Sequence, residues 1–512
     1  MKYRTLPLRL RGRETSAAEA AALIRDGQTL AVGGYTSAGF PKAVPAELVR
    51  RHQEGETLRL NLISGSLVGQ IDEQLCDLTV RRTPMFESRR MRKAVNERKL
   101  VYVEQQIAKL PRLLASGALG PVHTAVIEAL GFTEEGHLIP TSSVGLVPLL
   151  AELAESVIVE INEAQPEGLF GMHDVFLPGI PSERRQIPML HPGHRFGEPF
   201  VRIDADKIKA IVRTNEADTT EGPGSMSEAS ATTLRIAANL MEFLEDEAGR
   251  SWPKGLPPIQ SGVGNLSHAL VAAFKQSRFR NLSFFCGMLN EAAVELLSSG
   301  QAVSASASAV QMTPRVMSLI HDEGVRLKRH LVLRNQDITN DIEVTARMGI
   351  LALNSGLEVD IYGNVNASHV YGSQVVNGIG GVANFAQASA LSVMLLPSVS
   401  KGGRVSSVVP MAPHVDVGEH DVDVLITDQG VADLRGKDDV ERAECIISRC
   451  AHPAFREPLL HYLRKAVKNV GGHHPHLPAE AHAWHQRLRD TGSMGDSSGD
   501  LSGTTFQEAS TW

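Results

Sequence analysis

Apolar positions along the chain switch repeatedly between two periods. After Ser16, the residues Ala18, Ala21, Ala22 and Ile24 recur at helical spacing up to Gly27, and Thr29 to Val32 is then a short apolar run ending in Gly33-Gly34. Leu58 to Ser64 reads as a second strand and runs into Gly65-Ser66. Helix, strand and glycine-rich loop in that order predict parallel strands joined by crossover helices. The second half repeats the pattern. Gly262-Val263-Gly264-Asn265 precedes a helix carrying Leu266, Leu270, Val271 and Phe274, and glycines placed there let backbone N–H groups turn toward an anion or oxyanion. Leu282 to Phe285 reads as a buried strand, with Leu289, Ala292, Ala293, Leu296 and Leu297 at helical spacing behind it. Cys286 and Gly287 are therefore expected at a strand-to-helix junction, where open α/β sheets place their chemistry. Val303 to Val310 alternates serine and alanine, a strand with small side chains on both faces that suits close approach by backbone or ligand.

The clearest break follows the strand Ala210-Ile211-Val212. Asn215 to Ser227 is polar and interrupted by Gly222-Pro223-Gly224, and Ser227 is expected to cap a helix whose stripe is Leu234, Ala237, Ala238, Met241 and Leu244. The predicted class is α/β, with two similar domains of mainly parallel strands over residues 1–220 and 226–465 and a mobile tail over 466–512. That tail holds His473, His474, His476, His482 and His485, then a Gly/Ser/Asp-rich end. No acid or cysteine stands at ligand spacing from these histidines, so no metal site is expected. Cys445 and Cys450 are expected to pack around the helix Val440 to Ile447, and His173, in a loop bracketed by apolar residues, to be structural.

Composition narrows the function more than the fold. The chain has 512 residues, 42% hydrophobic and 21% charged, with a net charge of -7, which leaves no electrostatic footprint for nucleic acid. Four cysteines, scattered at 76, 286, 445 and 450, make no disulfide framework and point to the cytoplasm. The start is basic, from Lys2 to Arg13, but has no apolar core of a secretory signal and is expected to be an ordinary terminus. No run of about 18 apolar residues occurs, so no membrane-crossing helix is expected.

The motifs resemble one family along most of the chain. Gln260 to Asn265 reads QSGVGN, and Gly34 to Pro45 is similar to a GFTPAGYPKAVP-like opening. Further matches are Arg82 to Ser88 with Met91 to Asn96, Gly120 to His123, Thr141 to Gly145, Val157 to Asn162, and Gly171 to Asp174. They continue through Gln336 to Ala352, Tyr362 to Val370, Asn377 to Gly381, Val424 to Gly436 and Cys450 to Pro453. Together these resemble the acetyl-CoA hydrolase/transferase family, the class I CoA-transferases that include succinyl-CoA:acetate CoA-transferases. The resemblance implies two CoA-transferase domains and a homodimer with coenzyme A bound between the domains. It implies acyl-CoA and a small carboxylate as substrates, and no permanently bound cofactor. It places oxyanion donors at the backbone N–H groups of Val263 and Gly381, an acyl or carboxylate contact at Asn340, and coenzyme A contacts at Gly262, Val263, Gly264, Asn265, Leu266, Asn377, Gly381 and Lys401.

In that family a glutamate within an aromatic-Thr-Glu-Val-Leu-Gln-Asp segment attacks the acyl-CoA and becomes a glutamyl-CoA thioester. Here the segment reads Phe285-Cys286-Gly287-Met288-Leu289-Asn290-Glu291, and the nucleophile position is Gly287, which has no side chain to react. Other departures surround it. The family's Ala-Asp-Arg is Ala217-Asp218-Thr219, its Glu-Gln-Gly is Asp428-Gln429-Gly430, and its Gly-Gly-Ser-Gly-Asp-Phe is Gly380-Gly381-Val382-Ala383-Asn384-Phe385. Cys286 is a substitute nucleophile only if it faces the substrate, and an extended chain would turn it away. Glu291 matches an acid the family already carries, and water is a third candidate attacker. The sequence thus leaves open a transferase or hydrolase of short-chain thioesters with no assigned nucleophile, and a non-catalytic CoA or acyl-CoA binding protein.

Overall fold

A computed structural model describes residues 2–66, 68–180, 182–218 and 229–495. The first sheet is built as the N-terminal pattern predicts. Its strands are β1 (Thr29–Val32), β2 (Leu60–Ser64), β3 (Thr79–Thr83), β4 (Val101–Tyr102), β5 (Thr124–Phe132), β6 (Leu138–Pro140), β7 (Ser156–Asn162) and β8 (Ile208–Thr214). The order is β4-β3-β2-β1-β5-β7-β8, parallel throughout, with β6 antiparallel on β5. All nine residues of β5 are buried, as a strand covered on both faces requires. Ser16 begins the first helix with a reciprocal cap: its hydroxyl accepts from the Glu19 amide, and the Glu19 carboxylate accepts from the Ser16 amide.

The compact units do not follow chain order. One gathers Met1–Ser225, Pro257–Ile259 and Phe279–Met348; the other gathers Met226–Leu256, Gln260–Arg278 and Gly349–Trp512. Phe279–Met348 thus groups with the segment that precedes the expected division at 220–226. In the first unit, β10 (Leu282–Leu289), β11 (Ala302–Val310) and β12 (Leu331–Leu333) form a second parallel set, with Ile259 of β9 (Ile259–Ser261) beside Phe284. Backbone bonds tie this set to the N-terminal segment: Val310 donates to Ser142 at 3.0 Å, Val144 to Ser308 at 2.8 Å, and Leu333 to Met172 at 2.8 Å. Ser143 and Ala309 form an antiparallel bridge there, on the edge of β11 beyond the residues that β12 covers. A buried ion pair, Arg334 with Asp174, joins the same segments.

In the second unit, Leu351–Ser355, Leu391–Leu395 and Val424–Thr427 run parallel, and Gly430–Asp433 returns antiparallel. The long helix here is Ala231–Ser251, capped by Ser230 and not by Ser227, which lies outside the described residues. Its buried face is Ile236, Ala237, Leu240, Phe243, Leu244 and Glu247, turned from the expected stripe so that Leu234 is 57% exposed. The predicted mobile tail is also corrected over its first part. Pro453–Asn469 is a helix, and beyond it Ala483–Thr491 is another whose Trp484 and Leu488, with Met494, join the second unit's core. Burial of these apolar side chains fixes a segment whose polar composition alone reads as loose. Residues 496–512 lie outside the described residues.

Candidate functional site

In the first unit the site is organised around the loop after β1. Gly34 has φ 104°, and a Cβ there would stand 2.7 Å from Phe40 Cβ, so the tight loop needs glycine at that position. Lys42, buried at the start of the helix Ala43–Gln53, anchors the far end: its ammonium donates to Glu128 at 2.6 Å, to Asp218 at 2.9 Å and to the Phe40 carbonyl at 2.8 Å. Asp218 also accepts from the Gly39 amide, Ser142 and Gln165. The Ala217-Asp218 remnant is thus a buried brace of this loop, while Thr219 lies outside the described residues.

The loop delivers Tyr35. Its ring is buried in a small cluster with Ala38, Met85, Ile107, Met288 and Ala309. Its hydroxyl is hydrogen-bonded to Ser66, and burial holds the phenol far above its ordinary pKa, so it keeps its proton. Gly287 is not at a strand-to-helix junction, because β10 continues to Leu289 and the helix begins at Glu291. A Cβ added at Gly287 would collide with the Tyr35 hydroxyl, with ring carbon Cζ only 3.3 Å away. The space in which a residue-287 side chain would begin is occupied by Tyr35.

The neighbouring candidates are accounted for. Cys286, 2% exposed, aligns in the ladder with Ala307, and its thiol points toward the Ile259 carbonyl at 3.6 Å. Being in an extended strand, it projects to the face opposite to that of position 287. Glu291 accepts from Thr313 at the start of its helix, and His173 is buried with Nε2 at 2.8 Å from the Thr141 carbonyl, burial pushing its pKa down to about 4. Asn340 ends the short helix Gln336–Thr339, its Oδ1 accepting from the Thr339 hydroxyl at 3.2 Å. It lines a cavity of about 1020 Å³ together with Gln336, Asp337, Arg184 and Lys109.

The second unit carries the remaining expected residues. Gly264, at φ 98°, turns the chain into the helix Asn265–Ala273, and neither Gly262 nor Gly264 has an atom within 4 Å of its Cβ position, so the loop is open. Ser267 pins it from below by bonding Ser261 at 2.5 Å and the Gly262 carbonyl. Val263 is 46% exposed at the tip, and Leu266 follows within the helix. Asn377 bridges loops by donating to the Ala367 and Gly378 carbonyls, each at 3.2 Å, and Gly381 precedes the helix Val382–Ala388. Lys401 sits at the tip of the hairpin Val399–Ser400/Val405–Ser406, exposed and at φ 48°, with its ammonium 5.7 Å from the Tyr371 ring. Asp428 is held by the Ser398 amide at 2.6 Å, the Ser398 hydroxyl at 3.0 Å and Gln429 at 2.7 Å.

This arrangement of glycine-turned loops on parallel strands matches a known family across both parts of the chain. Residues 12–215 match the acetyl-CoA hydrolase/transferase N-terminal domain and residues 319–463 its C-terminal domain. The chain belongs to the acetyl-CoA hydrolase/transferase family. A succinyl-CoA:acetate CoA-transferase of Clostridium kluyveri is 38% identical over 492 residues, covering 95% of this chain and 91% of that one. An acetyl-CoA hydrolase of Kluyveromyces lactis is 33% identical over 494 residues, covering 92% and 94%. In fold, this acetyl-CoA hydrolase/transferase chain is similar to RipA from Yersinia pestis, with TM-score 0.70 at 21% identity over 89% of this chain and 98% of that one. No helix among the described residues is long and apolar enough to cross a membrane.

Tyr35 and Ser66 are the residues that sequence reasoning missed. The signal was present in the opening motif: where the family-like pattern has Phe and later Tyr, this chain has Tyr35 and later Phe40.

Proposed function

We propose that this chain binds a short-chain acyl-CoA, of the acetyl-CoA or succinyl-CoA type, and cleaves or transfers its thioester without an enzyme-bound glutamyl intermediate. The observation that carries this reading is Tyr35: its protonated hydroxyl lies where a nucleophilic side chain at 287 would start, and Cys286 faces away. In the hydrolytic route, a water oxygen bonds to the acyl carbon, the carbon–sulfur bond breaks, and coenzyme A leaves as its thiol with a proton from that water. In the transfer route, an acceptor carboxylate attacks the same carbon to give a mixed anhydride and CoA thiolate. The thiolate then attacks the acceptor's acyl carbon and releases the donor acid. Both routes develop an oxyanion, and the backbone N–H groups of Val263 and Gly381 are assigned to it; one such donor contributes about 3 kcal/mol in comparable sites. Coenzyme A is assigned to the 262–266 loop, Asn377, Gly381 and Lys401, and the substrate carboxylate or acyl group to Asn340. The reading includes a cytosolic homodimer, which light scattering after size-exclusion would check.

A second reading, acyl-CoA binding without turnover, is favoured by the same Tyr35, since a filled nucleophile position also suits a protein that only holds its ligand. Incubation of pure protein with acetyl-CoA or succinyl-CoA plus acetate separates the two. Steady release of CoA or formation of the second thioester supports the first reading; saturable binding with no turnover supports the second. A CoA adduct on the protein, found by mass spectrometry, would overturn both. Cys286→Ser is expected to leave turnover unchanged, and its loss would make that thiol the nucleophile.

A further inference from the structure

We propose that His473, His474, Asp439 and Glu419 form a binding site for a divalent transition metal of the zinc class. In sequence the histidines stand alone. In the fold, Asp439 Oδ2 lies 2.9 Å from His473 Nδ1 and 2.7 Å from His474 Nδ1, and Glu419 Oε2 lies 3.8 Å from His474 Nδ1. The ligand atoms of Glu419, Asp439 and His474 all fall within 4.8 Å of one another. A tetrahedral zinc ion with bonds of about 2.0–2.2 Å sets its ligand atoms about 3.3 Å apart, so the Glu419, Asp439 and His474 atoms close on an ion by changes of up to about 1.5 Å in their separations, and His473 Nδ1 adjoins them through Asp439.

The convergence places three ligand-type atoms on one point, which an ion can also occupy. Two consecutive histidines aim the same ring nitrogen, Nδ1, at one carboxylate oxygen, which without an ion requires both rings to carry a proton there. A cation among these atoms lets both nitrogens act as lone-pair donors instead. The supports are those of a built site. Asp439 is the first residue of the helix Asp439–Arg449, whose start is fixed by the reciprocal cap of Asp438 and Glu441. Glu419 is held from behind by Asn364, whose Nδ2 donates to Oε2 at 3.2 Å and whose Oδ1 accepts from the Glu419 amide at 3.1 Å. The His474 ring rests 3.9 Å from the Tyr362 ring. An open recess lined by Asn364, Glu419, His420, Asp439, His473 and His474 gives an ion access from solvent. Two imidazoles with two carboxylates select zinc-like ions over magnesium or calcium, which take oxygen ligands. The ion would clamp the segment after Asn469 to the first turn of the helix at 439.

The test uses the untagged full-length chain, stripped with chelator and titrated with zinc chloride by calorimetry, with cobalt(II) absorption as a geometric signature. One zinc per chain with micromolar or tighter affinity and tetrahedral cobalt bands is expected. His473→Ala, at a side chain 83% exposed, removes a ligand with little risk to folding and is expected to weaken zinc at least about tenfold. Asp439→Asn is expected to weaken it further, whereas His482→Ala is expected to leave the affinity unchanged. Absence of stoichiometric zinc, affinity unmoved by His473→Ala, or displacement of zinc by millimolar magnesium would each overturn the proposal.

Discussion

At the scale of single residues, position 287 and position 35 have to be understood together. Restoring the carboxylate alone, Gly287→Glu, forces a side chain into the Tyr35 hydroxyl, and overpacking of this kind costs about 1–3 kcal/mol. The single variant is expected to lose stability and form no borohydride-trappable thioester. The pair Gly287→Glu with Tyr35→Phe removes the obstructing oxygen and is expected to recover both; equal behaviour of single and double variants would count against Tyr35 as the obstacle. Glu87 supplies a second test. Burial first, and the Asp72 charge next, raise its carboxyl from 4.5 to about 8, and its Oε1 is buried without a hydrogen-bond partner. The folded chain therefore keeps a proton that the unfolded chain releases, so the contribution is complete below pH 4.5 and is lost as pH rises through about 8. Over that window stability is expected to fall by up to about 1.4 kcal/mol per pH unit, and Glu87→Gln to flatten the slope in urea unfolding. A glycine at position 287, where the resemblance expects a glutamate, was legible from one segment. What fills its place was not, because Tyr35 and Gly287 are far apart in sequence and no local period links them.

At the scale of elements, the helices and strands with strong periodicity were read correctly in kind, and the errors lie at their ends and faces. Gly287 was expected at a junction because the strand was read as ending at Phe285 and helical spacing as starting at Leu289; in the sheet it continues β10, whose ladder with β11 extends to Val310. The stripe on Ala231–Ser251 was misjudged because Leu234 stands within a turn of the helix start, where sequence alone does not say which face meets the core. The loop after β1 depends on a buried cation. Lys42→Met would strand Glu128 and Asp218 without their partner, and removal of one member of such a buried pair costs about 3–5 kcal/mol. Thermal unfolding is expected to show that loss, together with loosening of the Tyr35 loop seen by hydrogen exchange at residues 33–42. An unchanged melting temperature would mean that water reaches the two carboxylates.

At the scale of the whole molecule, composition and motifs located the fold class and family, while the partition of the chain depended on contacts that no motif announces. The tail illustrates this. Its histidines and small polar residues concealed Trp484, Leu488 and Met494, and His485 Nε2 meets Glu358 Oε2 at 2.9 Å in the second unit's interior. Ending the chain at Val470 is expected to cost several kcal/mol, since burial of each large apolar side chain is worth about 1.5–3 kcal/mol, and to leave a protein that aggregates on concentration. Wild-type solubility of that shortened chain would count against the helix at 483 as a core element. The interleaving of the two units bears on how the polypeptide is made. As it leaves the ribosome, the first 225 residues emerge well before Phe279–Met348, the block that completes their unit. Until Ser308 to Val310 are outside the exit tunnel, Ser142 and Val144 lack the backbone they later pair with, so the nascent chain passes through a stage that calls for chaperone cover.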